Sequence, residues 1–277
     1  MHSFRWGLFR KSMISYPYSF AMLSHQGRVR KGNEDSCNMS RELGAFVVCD
    51  GMGGAAAGEI ASRLAANTFL KALAPEHSKT PRLATPDVRL ERAVRAANKA
   101  VWQQARRSAE LSGMGTTLIG LLLDPAVTAP GVAGKTPRLA LVHVGDSRCY
   151  RYRGGRLELL TNDHSLVGEQ VRLGEMTAEQ AVDHPMRNII TRAVGSQSDV
   201  EPEMTPLDPE SGDIYLLASD GLTRELEDDA IAQTISRAVA KSTEGKPNLE
   251  SLCQTLIDEA NDAGGGDNIT VLLLQLV

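Results

Sequence analysis

The chain has 277 residues and no run of the roughly 18 apolar residues that a membrane-spanning helix needs, so no membrane span is expected. It has no CxxC pair, and its four cysteines, Cys37, Cys49, Cys149 and Cys253, stand at unrelated spacings. That argues against a disulfide framework and against a cysteine-ligated zinc site. Cys49 and Cys149 lie in apolar, strand-like runs where buried thiols are common, and reduced thiols fit a cytoplasmic protein. There is no excess of positive charge: 30 Lys and Arg against 34 Asp and Glu leave a net charge of −4, so nothing attracts nucleic acid globally. No internal repeat and no interdomain linker interrupts the chain.

Apolar residues make up 42%, enough for a full core in one large domain. The opening MHSFRWGLFRKSMISYPYSFAM is basic and aromatic and lacks the continuous apolar segment of a secretory signal. Residues 1–21 are therefore expected to be a flexible extension before a domain spanning 22–277. Residues 44–50 read as a buried strand, Gly51 to Gly58 as a Gly/Ala turn, and 58–74 as a helix with Ile60, Leu64, Phe69 and Leu73 at helical spacing. A second helix is expected over 87–111, ended by Gly113 and Gly115. Strands follow at 116–123, 138–145, 147–153, 157–160 and 213–219, helices near 228–240 and 248–262, and a last strand at ITVLLLQL. The segment DPAVTAPGVAGKTPR reads as a long surface loop, and 163–200 as polar with short helical patches. Strands joined directly by short turns, mixed with helices, point to an α+β class with antiparallel sheet.

Four acidic sites share one layout, with an Asp delivered to a turn: Cys49-Asp50-Gly51, Gly145-Asp146-Ser147, Ser219-Asp220-Gly221 and Gly266-Asp267-Asn268. The first three follow an apolar strand, and the fourth precedes one. A single Asp at a strand end is ordinary turn chemistry. Four in one chain are another matter, because strand ends hold side chains rigidly and clustered carboxylates repel unless cations neutralise them. Oxygen-only ligands suit Mg²⁺ or Mn²⁺, and the lack of a His/Cys cluster points away from zinc.

Eight motifs in order carry a family resemblance. They are Arg30-x-x-Asn33-Glu34-Asp35; Asp50-Gly51-Met52-Gly53-Gly54 with Gly58-Glu59; Gly113-Met114-Gly115-Thr116-Thr117; His143-Val144-Gly145-Asp146-Ser147-Arg148; Asp163-His164-Ser165; Ile189 to Gly195; Ser219-Asp220-Gly221-Leu222; and Gly266-Asp267-Asn268-Ile269-Thr270. In these the chain resembles the bacterial form of the PPM/PP2C metal-dependent protein phosphatases. The resemblance implies two antiparallel β-sheets packed face to face with helices on both outer faces. It also implies hydrolysis of phosphoserine and phosphothreonine by a metal-bridging hydroxide.

By the same resemblance Asp50 bridges two ions, the Gly51 carbonyl binds one of them, and Asp220 and Asp267 bind the other. Glu34 holds metal-bound water, Arg30 grips substrate phosphate, and Asp146 joins Asp220 in a third ion site. Asp35 and Asn268 stand behind these ligands as supporting partners, and about 164–188 forms a flap beside the cleft. The implied partners are phosphorylated proteins and an opposing Ser/Thr kinase; a monomer is the default expectation for the chain.

The chemistry fits the residues independently, since two cations offset a phosphate dianion and lower the pKa of water, and an arginine fork suits phosphoryl oxygens. Met52 and Ala55 stand where some relatives carry histidine, which leaves the general acid unassigned. His143 reads as a structural histidine, His164 and His184 flank the flap, and Arg148 and Arg192 read as ion-pair partners of nearby acids.

Two rival readings are weaker. Gly51-x-Gly53-x-x-Ala56 has the shape of a dinucleotide-binding turn. Asp50 would set an anion beside the pyrophosphate, and no acid stands about 20 positions on. A non-catalytic, phosphoprotein-binding relative would be favoured by loss of Asp50 or Asp220, and both are present.

Overall fold

The computed structural model describes residues 18–54, 56–74, 85–124, 138–177, 180–181 and 184–277. Its strands are β1 (Tyr18–His25), β2 (Asp35–Ser40), β3 (Ala45–Met52), β4 (Gly115–Thr116), β5 (Leu118–Asp124), β6 (Arg138–Val144), β7 (Arg148–Arg153), β8 (Arg156–Leu159), β9 (Glu203–Pro206), β10 (Ile214–Ala218) and β11 (Ile269–Leu276). Its α-helices include α1 (Ala56–Leu73), α2 (Pro86–Ala105), α3 (Leu166–Arg172), the single turn α4 (Asp220–Thr223), α5 (Asp228–Lys241) and α6 (Leu249–Ala263). One sheet has the order β1-β11-β10-β7-β8, and the other β2-β3-β5-β6-β9 with β4 added beside β3. The pairings are antiparallel throughout, as the α+β reading expects.

Alternation along each central strand sends side chains to two different cores. In β3, Phe46 and Val48 face the other sheet, while Ala45, Val47 and Cys49 face helices. In β11, Leu272, Leu274 and Leu276 face between the sheets, and Ile269, Val271 and Leu273 face α5 and α6. Both faces of each sheet are covered, which is why these strands read as unbroken apolar runs. Each large side chain enclosed this way contributes about 1.5–3 kcal/mol. Phe46 meets Tyr18 edge-on at 5.5 Å between ring centroids.

The sheet-facing stripe of α1 is Ala57, Ala61, Ala65, Phe69 and Leu73, and its three alanines let the first half of the helix approach the sheet closely. Ile60 and Leu64, expected on that stripe, are only partly buried. Phe69 lies over Gly120 of β5, where an added Cβ would come within 2.7 Å of the ring.

Three differences from the sequence reading have physical causes. The helix expected to reach residue 111 ends at Ala105, because Ser108 turns extended and residues 109–111 form a separate 3₁₀ turn. The chain bends there and Met114 is drawn fully into the core. Strand β1 opens at Tyr18, ahead of the domain start drawn at 22, because it pairs along its whole length with β11. Strands β2 and β9 escape the reading, since their residues are only half-buried and lack a strong apolar pattern. Residues 1–17, most of the Pro/Gly/Ala loop after Asp124 and parts of the flap lie outside the described residues.

Candidate metal centre

The acidic groups come together at one rim of the sandwich, where strands of both sheets end. Asp50 stands two residues before the end of β3 and lies opposite Asp35 of β2 in register. Its N–H donates to Thr117 Oγ1 at 2.9 Å, and its carbonyl accepts from Thr116 Oγ1 at 2.8 Å and from the Thr117 N–H at 2.9 Å. Asp146 sits in the turn between β6 and β7, which passes through Gly145 at φ 107°. That turn is pinned by Ser147 Oγ to Thr117 Oγ1 at 2.7 Å. Asp220 is the first residue of α4, directly after β10. Asp267 precedes β11 and accepts the Asn268 N–H at 2.8 Å.

Two glycines make this convergence possible. A Cβ on Gly51 would collide with the carbonyl oxygens of Gly58 and Glu34, and one on Gly221 with the carbonyl of Asn268. Asn268 ties the loop that carries Arg30 to the acidic rim. Its Oδ1 accepts the Glu34 N–H at 2.7 Å, and its Nδ2 donates to the carbonyls of Gln26 and Gly32, each at 2.8 Å. Arg30 itself donates to Asp267 at 2.6 Å while remaining half exposed. The Glu34 carboxylate lies against the Gly58 backbone near the start of α1, where the helix dipole favours an anion.

The electrostatics are those of crowded anions. Burial first, then the charges of Asp35, Asp220, Asp146 and Asp267, hold the Asp50 carboxyl well above its ordinary value. Burial and neighbouring carboxylates push Asp146 up to about 7. Asp35 also rises to about 7 through burial, although hydrogen bonds from Thr270 Oγ1 at 2.6 Å and Ser219 Oγ at 2.7 Å oppose the rise. Asp220 is raised by burial, against the pull of Arg224, and its carboxyl is within hydrogen-bonding reach of Asp50. Glu34 is raised by burial, with Arg30 opposing.

Buried Oδ1 atoms of Asp35, Asp146 and Asp220 have no hydrogen-bond partner. Enclosed oxygens without donors, on carboxylates that repel one another, are what hard divalent cations satisfy. The donor set therefore fits Mg²⁺ or Mn²⁺.

Arg224, which sequence reasoning missed, stands in the middle of this set. It ion-pairs with Asp220, lies 3.6 Å from Asp267 and 4.0 Å from Asp146. Its place four residues after Asp220 on a helical turn was a readable signal. Thr117, Ser219 and Thr270 were also missed, and only their adjacency to acidic motifs marked them.

A second polar cluster lies apart from the acidic residues. His143, His164 and Glu203 form the one set among the described residues whose three ligand-type atoms all lie within 4.8 Å of one another. The imidazoles stack, with centroids 4.5 Å apart and planes 23° apart, so their in-plane lone pairs do not converge on one ion. Three of the four ring nitrogens have other partners, and His143 Nδ1 is buried without one. His164 Nδ1 accepts the Gly145 N–H at 3.2 Å, its Nε2 meets Glu203 at 3.2 Å, and His143 Nε2 meets the Asn162 carbonyl at 2.8 Å. Burial, then the neighbouring His143, lowers His164 to about 4, and burial lowers His143 too. Both are neutral structural groups that fix the Asp146 turn. Arg148 is likewise a structural ion-pair partner, held against Asp163 at 2.8 Å.

Comparison with known proteins agrees with this geometry. The family model described as protein phosphatase 2C matches residues 25–256. The chain is 38% identical over 260 residues to the serine/threonine protein phosphatase PstP of Mycobacterium tuberculosis, covering 93% of this chain and 45% of that protein. It therefore spans less than half the length of that relative. It is 34% identical over 256 residues to the serine/threonine phosphatase stp of Listeria welshimeri, covering 90% of this chain and 92% of the relative. A crystal structure of the PstP catalytic domain with two manganese ions superposes with a TM-score of 0.75 at 35% identity, covering 94% of this chain and 98% of that one. With its two packed antiparallel sheets and its rim of strand-end carboxylates, the chain belongs to the protein phosphatase 2C family.

Proposed function

We propose that the chain is a Mn²⁺- or Mg²⁺-dependent phosphatase acting on phosphoserine and phosphothreonine of proteins. The observation that carries this is the gathering of Asp50, Asp146, Asp220 and Asp267, with buried oxygens lacking donors, beside the half-exposed Arg30. The manganese ions named for the PstP catalytic domain support the metal reading.

In this proposal Asp50 and the Gly51 carbonyl, with Asp220 and Asp267, hold two ions, and Asp146 with Asp220 holds a third. Bound ions would supply positive charge against the phosphate dianion and a lowered pKa for water. The chain does the rest. Arg30 holds phosphoryl oxygens through its guanidinium fork, Glu34 orients water at the rim, and Asp35 and Asn268 keep the acidic strands and the Arg30 loop in place. A rigid rim suits phosphoryl transfer, in which positioning and electrostatics dominate.

The natural substrates are proposed to be proteins phosphorylated by a Ser/Thr kinase, met by a monomer in the cytoplasm. Four free cysteines support a reducing compartment, and among the described residues no helix is long and apolar enough to cross a membrane. The test is hydrolysis of a phosphothreonine peptide and an aryl phosphate with Mn²⁺, with and without chelator. Turnover that needs Mn²⁺ supports the proposal. Turnover surviving exhaustive chelation, or binding of phosphopeptide without turnover, sinks it, and the latter result would favour a non-catalytic phosphoprotein binder.

A further inference from the structure

We infer that Arg224 is a tethered counter-ion that competes with divalent cations for the acidic rim and so sets their affinity. The inference rests on the reading of Asp220, Asp267 and Asp146 as ion ligands, and it concerns a residue to which that reading gives no role.

Three features carry it. First, one guanidinium reaches three carboxylates from three different chain segments: Asp220, Asp267 at 3.6 Å and Asp146 at 4.0 Å. Each approach is to an Oδ2 atom, and a guanidinium is permanently charged, so it offsets the same carboxylate charge that an ion would offset. Two cations brought to the same three carboxylates repel one another. Second, among the described residues the set of three whose ligand-type atoms all lie within 4.8 Å of one another is His143, His164 and Glu203, not a set drawn from these carboxylates. The acidic rim is spread, and the arginine that bridges it is the group on which the spread carboxylates converge. Third, Arg224 has somewhere to go. It lines a cavity of about 510 Å³, shared with Asp146, Asp220 and Thr223, that extends towards Val167 of α3. Its side chain is already 31% exposed, so withdrawal into that space costs little burial.

Arg224 therefore neutralises the rim from within and yields to cations that bring more charge to each carboxylate. Arg30 differs, because it reaches Asp267 from the outer loop and, among the described residues, ion-pairs with no second carboxylate.

The test is Mn²⁺ binding, measured by calorimetry on the full chain after chelation and dialysis. Arg224→Met should bind Mn²⁺ about tenfold more tightly than the unsubstituted protein, the scale of one charge-assisted contact. Arg224→Lys, which keeps a cation on a shorter reach, should fall between the two. Equal or weaker binding by Arg224→Met overturns the inference. A second measurement needs no substitution. Arginine modification by phenylglyoxal, mapped by mass spectrometry, should proceed several-fold faster at Arg224 with saturating Mn²⁺ than without it. An unchanged rate at Arg224 overturns the inference as firmly. Failure of the unsubstituted protein to take up Mn²⁺ at all would instead remove the ligand reading on which the inference rests.

Discussion

Arg30 donates to Asp267 at 2.6 Å, so the side chain proposed to hold substrate phosphate is aligned by one proposed to hold an ion. The contact orients the guanidinium while leaving it half exposed to an incoming anion. Arg30→Ala should raise KM for a phosphopeptide about tenfold with a smaller change in kcat, because the arginine binds ground state and transition state alike. Steady-state kinetics decide it, and an unchanged KM would remove Arg30 from the phosphate site.

Burial, and then four other carboxyls, hold Asp50 well above its ordinary value, and it is the proposed bridge between two ions. Asp50→Asn keeps the shape of the side chain and removes the anion. Turnover should fall by about a hundredfold or more, the scale of a lost electrostatic contact in an active site. Circular dichroism should show the fold intact. A purified, folded Asp50→Asn protein with native kcat would contradict the assignment.

Asp146 is 6% exposed and its Oδ1 has no hydrogen-bond partner. Asp146→Ala should lower activity and remove one ion while sparing the two held by Asp50, Asp220 and Asp267. Metal content by mass spectrometry at saturating Mn²⁺ reads this directly. Three ions retained by the variant would refute the placement.

The pH dependence of stability follows from Asp35 and Asp146, both raised to about 7 chiefly by burial. A carboxyl raised in the folded state binds its proton more tightly there than in the unfolded chain. Its contribution to stability is complete below about pH 4, the unfolded value. It is lost as pH rises towards 7. In chelator, the melting temperature should therefore fall between about pH 4 and about pH 7, by about 2–4 °C for each kcal/mol lost. Mn²⁺ should offset the fall by neutralising the same oxygens. A melting temperature that rises with pH in chelator would show that these carboxyls are not strained.

Thr117 anchors both the Asp50 strand end and the Asp146 turn through one hydroxyl. Thr117→Val preserves shape but leaves the Asp50 N–H and the Ser147 hydroxyl without that partner. Urea unfolding should show a loss of about 1–3 kcal/mol. A loss no larger than that of an exposed threonine would mean the hydroxyl does not hold the rim.

The central strands and the acidic turns were legible because they carry local signals. Val47 to Asp50, Leu216 to Asp220 and Asp267 to Leu273 each combine an apolar run with a turn residue, and each lies where the sequence places it. Strands β1 and β2 carry no such run, and their pairing with β11 and β3 is a contact across the fold. The supporting hydroxyls were hidden for the same reason. Thr270 and Ser219 stand 51 residues apart in the chain, yet both bond to Asp35, Thr270 from β11 and Ser219 from just past the end of β10. Arg224 carried one local signal, its place four residues after Asp220, but its approach to Asp146 and Asp267 is a contact across the fold.

Asp50 leaves one sheet while Asp220 and Asp267 leave the other, and they meet at a single rim. A cation shared by these residues, as proposed, would be a clasp between the two sheets as well as a chemical device. Its grip should register in amide hydrogen exchange. Backbone protons of Asp50, Thr117 and Thr270 should exchange more slowly as Mn²⁺ is added, while the hairpin tip at Gly154 and Gly155, at the far end of β7, keeps its pace. The sandwich would then breathe from one end only, with the clasped end held shut.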